Sequence, residues 1–151
     1  MESLRLMARQ AVGLFFLLAF GGSVLPVSAE EPLRSPESEQ VTMIGNISYV
    51  SGGIGEDSRQ RLSAFSTAFN LRLLMAMTSG EYVGDVAVAI VDEKGREVLK
   101  AVSEGPIFMA NLPPGRYEVS ASIGGMIQKR TLAVVAERQS VVHFRWKNPV
   151  H

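Results

Sequence analysis

The tightest constraint on this chain is the stretch from residue 105 to 122, where Leu112-Pro113-Pro114-Gly115 separates two apolar runs. Pro114 presets φ for a turn and Gly115 offers a residue able to take positive φ, so the backbone reverses before Arg116. Beyond the turn, Tyr117, Val119 and Ala121 alternate with charged or hydroxylated residues, the period of a strand with one buried face. Similar short runs surround it. Val86, Val88 and Ile90 open one strand, Asp92-Glu93-Lys94-Gly95 forms a hairpin loop with Gly95 in the left-handed position, and residues 96–102 return. Residues 108–112, 116–123, 126–135 and 140–146 supply the rest, with Gly124-Gly125 as a second tight hairpin. Strands at roughly ten-residue spacing predict an antiparallel β-sandwich of about seven strands rather than a parallel sheet.

Ahead of these strands the pattern changes. Residues 41–50 read as a strand with Ile44, Ile47 and Val50 apolar, and residues 51–55 break it. Glu56 and Asp57 then supply the acidic first turn that a helix favours at its positive dipole end. Leu62, Phe65 and Phe69, with Ala68 beside them, recur at three- and four-residue steps, which predicts one amphipathic helix over residues 56–69 packed on the sandwich. Leu71–Met77 reads as a buried strand with Arg72 pointing out. The expected organisation is a strand-helix-strand extension over residues 41–81, followed by the sandwich over residues 82–147.

The N-terminus carries Arg5 and Arg9, an uninterrupted apolar run over residues 11–20, and Pro26-Val27-Ser28-Ala29 with small residues at signal-peptidase spacing. Residues 1–29 therefore read as a signal peptide cleaved after Ala29. A membrane anchor is the alternative, against which stands an apolar run shorter than the ~20 residues that span a bilayer. Residues 30–40 are polar and proline-bearing, the composition of a flexible linker. Cleavage leaves 13 basic and 14 acidic residues, a balance that argues against a broad nucleic-acid footprint. The chain has no cysteine, so neither a disulfide nor a lipid-modified N-terminal Cys is available. The expected location is periplasmic or secreted, with no stable membrane span after cleavage.

Leu112-Pro113-Pro114-Gly115-Arg116-Tyr117-Glu118-Val119 resembles the Leu-Pro-x-Gly-x-Tyr signature of transthyretin-like (prealbumin-like) sandwiches, specifically the carboxypeptidase regulatory-like domains. The resemblance covers residues 82–146. It implies scaffold roles for Leu112, Pro113, Gly115 and Tyr117, and no activity. Hydrolases of that superfamily use histidines and a characteristic C-terminal tetrapeptide, and neither has a counterpart here. Related surface sandwiches form Lys–Asn isopeptide bonds with a glutamate three residues before the turn motif, where this chain has Met109. Neither Lys94 nor Lys100 lies in an opening strand, so the resemblance implies no such bond.

Other chemistry has weak footing. Gly52-Gly53-Ile54-Gly55 ahead of a helix looks like a phosphate loop, but Ser58 occupies the third glycine position and Glu56 and Asp57 would repel a phosphate. His143 is the one histidine within a strand; alternation puts it with Arg145 on the face opposite Val142, Phe144 and Trp146, as a solvated residue. No Gly-x-Ser-x-Gly elbow or Cys nucleophile accompanies it. Met75 and Met77 share a strand face, with Met109 and Met126 elsewhere, a pattern that core packing explains more economically than a copper site. Gln128-Lys129-Arg130 reads as a solvated strand face that discourages edge aggregation. No catalytic, cofactor-binding or metal-binding residue is assigned. The expected function is non-catalytic: binding of a protein or glycan, or envelope assembly. A small periplasmic hydrolase, a Met-based metal carrier and a structural adhesin unit remain the alternatives.

Overall fold

The computed structural model describes residues 39–148. The leader and most of the predicted linker lie outside the described residues. The described chain is mainly β, with nine strands in two sheets and one α-helix. The strands are β1 (Thr42–Ile44), β2 (Ile47–Gly52), β3 (Leu71–Met77), β4 (Val86–Asp92), β5 (Glu97–Ser103), β6 (Ile107–Asn111), β7 (Gly115–Ile123), β8 (Met126–Val134) and β9 (Ser140–Trp146). The helix α1 (Glu56–Phe65) runs into a 3₁₀ turn, Ser66–Ala68.

One sheet has the order β1-β2-β6-β3-β9 and the other β5-β4-β7-β8. Every pairing is antiparallel except β3 with β9, which run parallel from Leu71 opposite Ser140 to Met77 opposite Trp146. β2 and β3, read from the sequence as an extension ahead of the sandwich, thus supply two of the five strands in the first sheet. Residues 41–50 are a tight hairpin rather than one strand: Gly45 turns at φ +59 and Ile44 pairs with Ile47. Ser51 and Gly52 continue β2 instead of breaking it, because β6 holds them in register opposite Phe108 and Ile107.

A single apolar cluster joins the inner faces of both sheets. Leu71, Leu73, Met75, Phe108, Phe144 and Trp146 come from the first sheet, and Val86, Val88, Ile90, Leu99, Tyr117 and Val119 from the second. These side chains are almost fully buried, and each contributes on the order of 1.5–3 kcal/mol of transfer free energy. The five-stranded sheet is also apolar on part of its outer face. There Val50, Ile107 and Met109 form a second cluster with Leu62 and Phe69, so the helix segment caps this half of the sheet.

The helical stripe is narrower than expected. Leu62 is 1% exposed and Phe69 4%, but Phe65 is 40% exposed. The α-helix ends at Phe65 and the following turn is tighter, so three- and four-residue spacing no longer carries Phe65 and Phe69 onto one face. Gly95 takes the left-handed conformation expected of it, at φ +78, whereas Gly115 does not: it is the first residue of β7. A Cβ on Gly115 would meet the Tyr117 ring at ordinary contact distance, 3.7 Å. Close approach matters more at Gly105, where a Cβ would overlap the Gly52 carbonyl and push the β5–β6 loop off the end of β2.

Candidate functional site

The helix entry shows how the local chemistry is used up. The Gly53 N–H donates to Ser58 Oγ at 2.7 Å, and the Ser58 hydroxyl donates in turn to Glu39. Glu39 is also paired with Arg61, Nε to Oε2 at 2.6 Å, and its side chain is only 5% exposed. Burial by itself would raise the Glu39 carboxyl, but hydrogen bonds from Arg61, Ser58 and a backbone N–H, with the Arg61 charge, outweigh it and hold the group below the ordinary glutamate value. A carboxylate therefore already occupies this end of the helix, which leaves the glycine loop no phosphate role. Glu39 falls within the segment read as a flexible linker, yet here it is fastened to the fold. The signal missed was an acidic residue able to reach Ser58 and Arg61 from about twenty positions away.

The turn that orders the chain is clamped from both ends. Asn70 is 4% exposed and donates from Nδ2 to the Leu112 carbonyl at 2.7 Å while accepting the Leu112 N–H on Oδ1 at 2.9 Å. Nothing local in the sequence singles out Asn70 for this role, since its partner lies 42 residues away. Tyr117, 6% exposed, places its ring in the core and donates its hydroxyl to the Pro113 carbonyl at 2.6 Å. Burial first, and the Asp92 carboxylate second, push its phenol above the ordinary value. Asp92 accepts the backbone N–H groups of Arg96 and Lys94 and the Arg96 Nε; the Arg96 backbone bond is the largest influence holding its carboxyl below the ordinary value. A cleft of about 450 Å³ beside this end is lined by Ile44, Asp92, Arg96, Pro113 and Tyr117.

The sequence candidates for chemistry do not converge. Met75 lies in the inner core and Met77 packs against it, whereas Met109 belongs to the outer cluster under the helix. His143 is exposed on the outer face of β9, on the other side of the sheet from Met75. Among the described residues no group of three or more His, Cys, Asp or Glu is placed to hold a metal. No described helix is long and apolar enough to cross a membrane.

The two long sides of the fold differ. On one side β8 and β9 are tied across the sheets: Trp146 Nε1 donates to the Met126 carbonyl at 3.0 Å, Ser140 Oγ to the Ala133 carbonyl at 3.3 Å, and Gln128 Nε2 to the Arg145 carbonyl at 2.5 Å. Arg130, from the basic cluster, lies with its guanidinium 5.6 Å from the Phe144 ring centre, and Lys129 pairs with Glu118 at 3.5 Å. Gln128 and Arg130 of that cluster thus help to close the β8 side, whereas Lys129 reaches back to β7 in its own sheet. On the opposite side, among the described residues, β5 is laddered to β4 alone.

The outer face of the five-stranded sheet is divided in the same way. The helix covers β2 and β6, while β3 and β9 present Arg72, Leu74 and Ala76 beside Val141, His143 and Arg145 in matched register. The Arg72 Nε is buried with no acceptor among the described residues. Tyr82 extends this face by bridging Ala76; it is 65% exposed, with the Arg59 guanidinium 5.9 Å from its ring centre. No protein-family model matches the chain, and no curated protein does either.

Proposed function

We propose that this chain is a non-catalytic, exported β-sandwich module of the transthyretin-like, carboxypeptidase regulatory-like kind, binding a protein or glycan partner in the periplasm or outside the cell. The observation that carries the reading is β5, a seven-residue edge strand laddered on one side only. An unpaired row of N–H and C=O groups is a template for strand addition by a partner. The register shift between Ile90 and Val91 and the exposed Lys100 restrain indiscriminate pairing at this edge, as bulges and lysines do on natural edge strands.

A binding role also agrees with how the buried polar side chains are spent. Asn70, Ser103 and Ser58 each bond to backbone or to a neighbouring side chain within the scaffold. The Leu112-Pro113-Pro114-Gly115 turn with its anchored Tyr117 supports the family resemblance. A hydroxyl of this kind, bonded back to the chain a few residues upstream, is a recurrent fastening in β-sandwiches.

The test is a photo-crosslinking residue placed at Val102, 57% exposed on β5, and separately at Ile127, 63% exposed on β8. In exported fractions of the native host, Val102 should yield a discrete adduct and Ile127 should not. Equal labelling from both positions, or none from Val102, would overturn the edge-strand reading.

A further inference from the structure

We infer that the outer face of β3 and β9 is a binding surface for a linear anionic glycan, one that carries carboxylate or sulfate groups along an extended chain. The inference rests on the binding-module reading and deepens it by naming a ligand chemistry and a second surface. It begins with charge. Across the described chain, residues 39–125 carry seven basic and ten acidic residues, whereas residues 126–148 carry five basic and one acidic. The overall neutrality therefore conceals a segregation of sign, and the cationic share lies on β8, β9 and their flanks.

The arrangement of that charge favours an extended ligand. His143 and Arg145 point outward two residues apart on β9, and Lys147 follows at the same interval just past the strand. Residues two apart on a strand are separated by about 6.6 Å, so the His143 imidazole and the Arg145 guanidinium stand in line along β9, with the Lys147 cation following just past its end. Arg72 stands opposite Val141 on the adjacent β3, which widens the row at one end. Among the described residues none of Arg72, His143, Arg145 and Lys147 has an acidic side chain at ion-pair distance, whereas Arg59, Arg61, Arg96 and Lys129 all do. The Arg72 Nε is buried with no acceptor among the described residues, so this donor of the guanidinium is uncommitted.

Tyr82 decides between kinds of polyanion. Ala76 is paired with Arg145 on one side and bridged to Tyr82 on the other, so an exposed aromatic ring and a guanidinium flank one small residue. Neighbouring strands lie about 4.8 Å apart, which puts ring and charge within the span of adjoining sugar units. An aromatic face stacks on the C–H face of a pyranose while the arginine meets its acid group. A bilayer would call instead for a cluster of large apolar side chains to insert, and on this face only Val141 and the Tyr82 ring are both large and well exposed.

The experiment titrates the purified protein with an oligogalacturonate by calorimetry, with neutral dextran, poly-glutamate and phosphatidylglycerol vesicles as comparisons. Saturable binding to the oligogalacturonate is expected, weakening steeply from ~0.01 to ~1 M salt as the screening length falls from ~30 to ~3 Å. Arg145→Gln and Arg72→Gln should each weaken binding by about two- to fivefold, the yield of one partly exposed charge contact. Tyr82→Ala should weaken the oligogalacturonate specifically, while Arg116→Gln should leave it unchanged. If Arg72→Gln lowers stability, Arg145→Gln and Tyr82→Ala, both at exposed positions, carry the test. Absence of binding at low salt, insensitivity to these substitutions, or equal affinity for poly-glutamate or the vesicles would each overturn the inference. Loss of this titration with the Val102 adduct retained removes the glycan surface and leaves the edge-strand module standing.

Discussion

Replacing Asn70 by alanine tests the clamp that joins the start of β3 to the turn before β7. The side chain is 4% exposed and makes two hydrogen bonds to one residue, Leu112 N–H to Oδ1 and Nδ2 to Leu112 C=O. Truncation removes both partners while the Leu112 backbone groups stay buried. A buried group left unsatisfied costs about 1–3 kcal/mol, and partial relief by a water entering the new space reduces the sum, so a loss of about 2–4 kcal/mol is expected. For a domain near 100 residues, 1 kcal/mol moves the midpoint by roughly 4–8 °C, so Asn70→Ala should melt at least ~8 °C below the parent. Tyr117→Phe, which removes only the bond to the Pro113 carbonyl and keeps the ring in the core, should cost about 0.5–1.5 kcal/mol. Differential scanning calorimetry, with urea unfolding as a second measure, gives both values. An Asn70→Ala midpoint within about 2 °C of the parent, or a larger loss from Tyr117→Phe than from Asn70→Ala, would refute the argument that Asn70 is the principal fastening of this turn.

Leu62→Ala should cost about 2–5 kcal/mol, because Leu62 fills the cluster under the helix, while Phe65→Ala at an exposed ring should change stability by no more than about 1 kcal/mol; thermal melts of the two variants check the order. Glu39 gives an acid-dependent term. Its folded-state carboxyl sits below the ordinary glutamate value, so its contribution is complete above that range, near 4.3, and is lost as the pH falls through the lowered folded value. Glu39→Gln should accordingly destabilise at neutral pH and flatten the acid limb of the stability curve, and an unchanged limb would show that Glu39 is not fastened in solution.

Much of the fold could be read locally. Alternation in Val86, Val88, Ile90 and in Tyr117, Val119, Ala121 specifies strands whose inner residues are the ones buried, because a period of two dictates the face whatever the partner. Leu71–Met77 and Ser140–Trp146 have their predicted limits, and the same alternation put His143 on the exposed side. Local pattern carries no information about which strands meet. The parallel pairing of β3 with β9 joins residues about 70 positions apart, and it alone sets Arg72 beside Val141 and Ala76 beside Arg145. Hydrophobic spacing likewise marked Leu62, Phe65 and Phe69 as one stripe, but the 3₁₀ turn and the outer face of β2 and β6 decided which two are covered. Glu39 looked like tether because composition measures average polarity, whereas a single carboxylate within reach of Ser58 and Arg61 is enough to fasten it. Sequence thus determined the strands from β3 to β9 and the faces that β4, β7 and β9 bury, since those follow from the geometry of neighbouring residues. Tertiary structure decided the open edge, the closed side and the cationic face, since each arises from segments that meet only after the chain has folded.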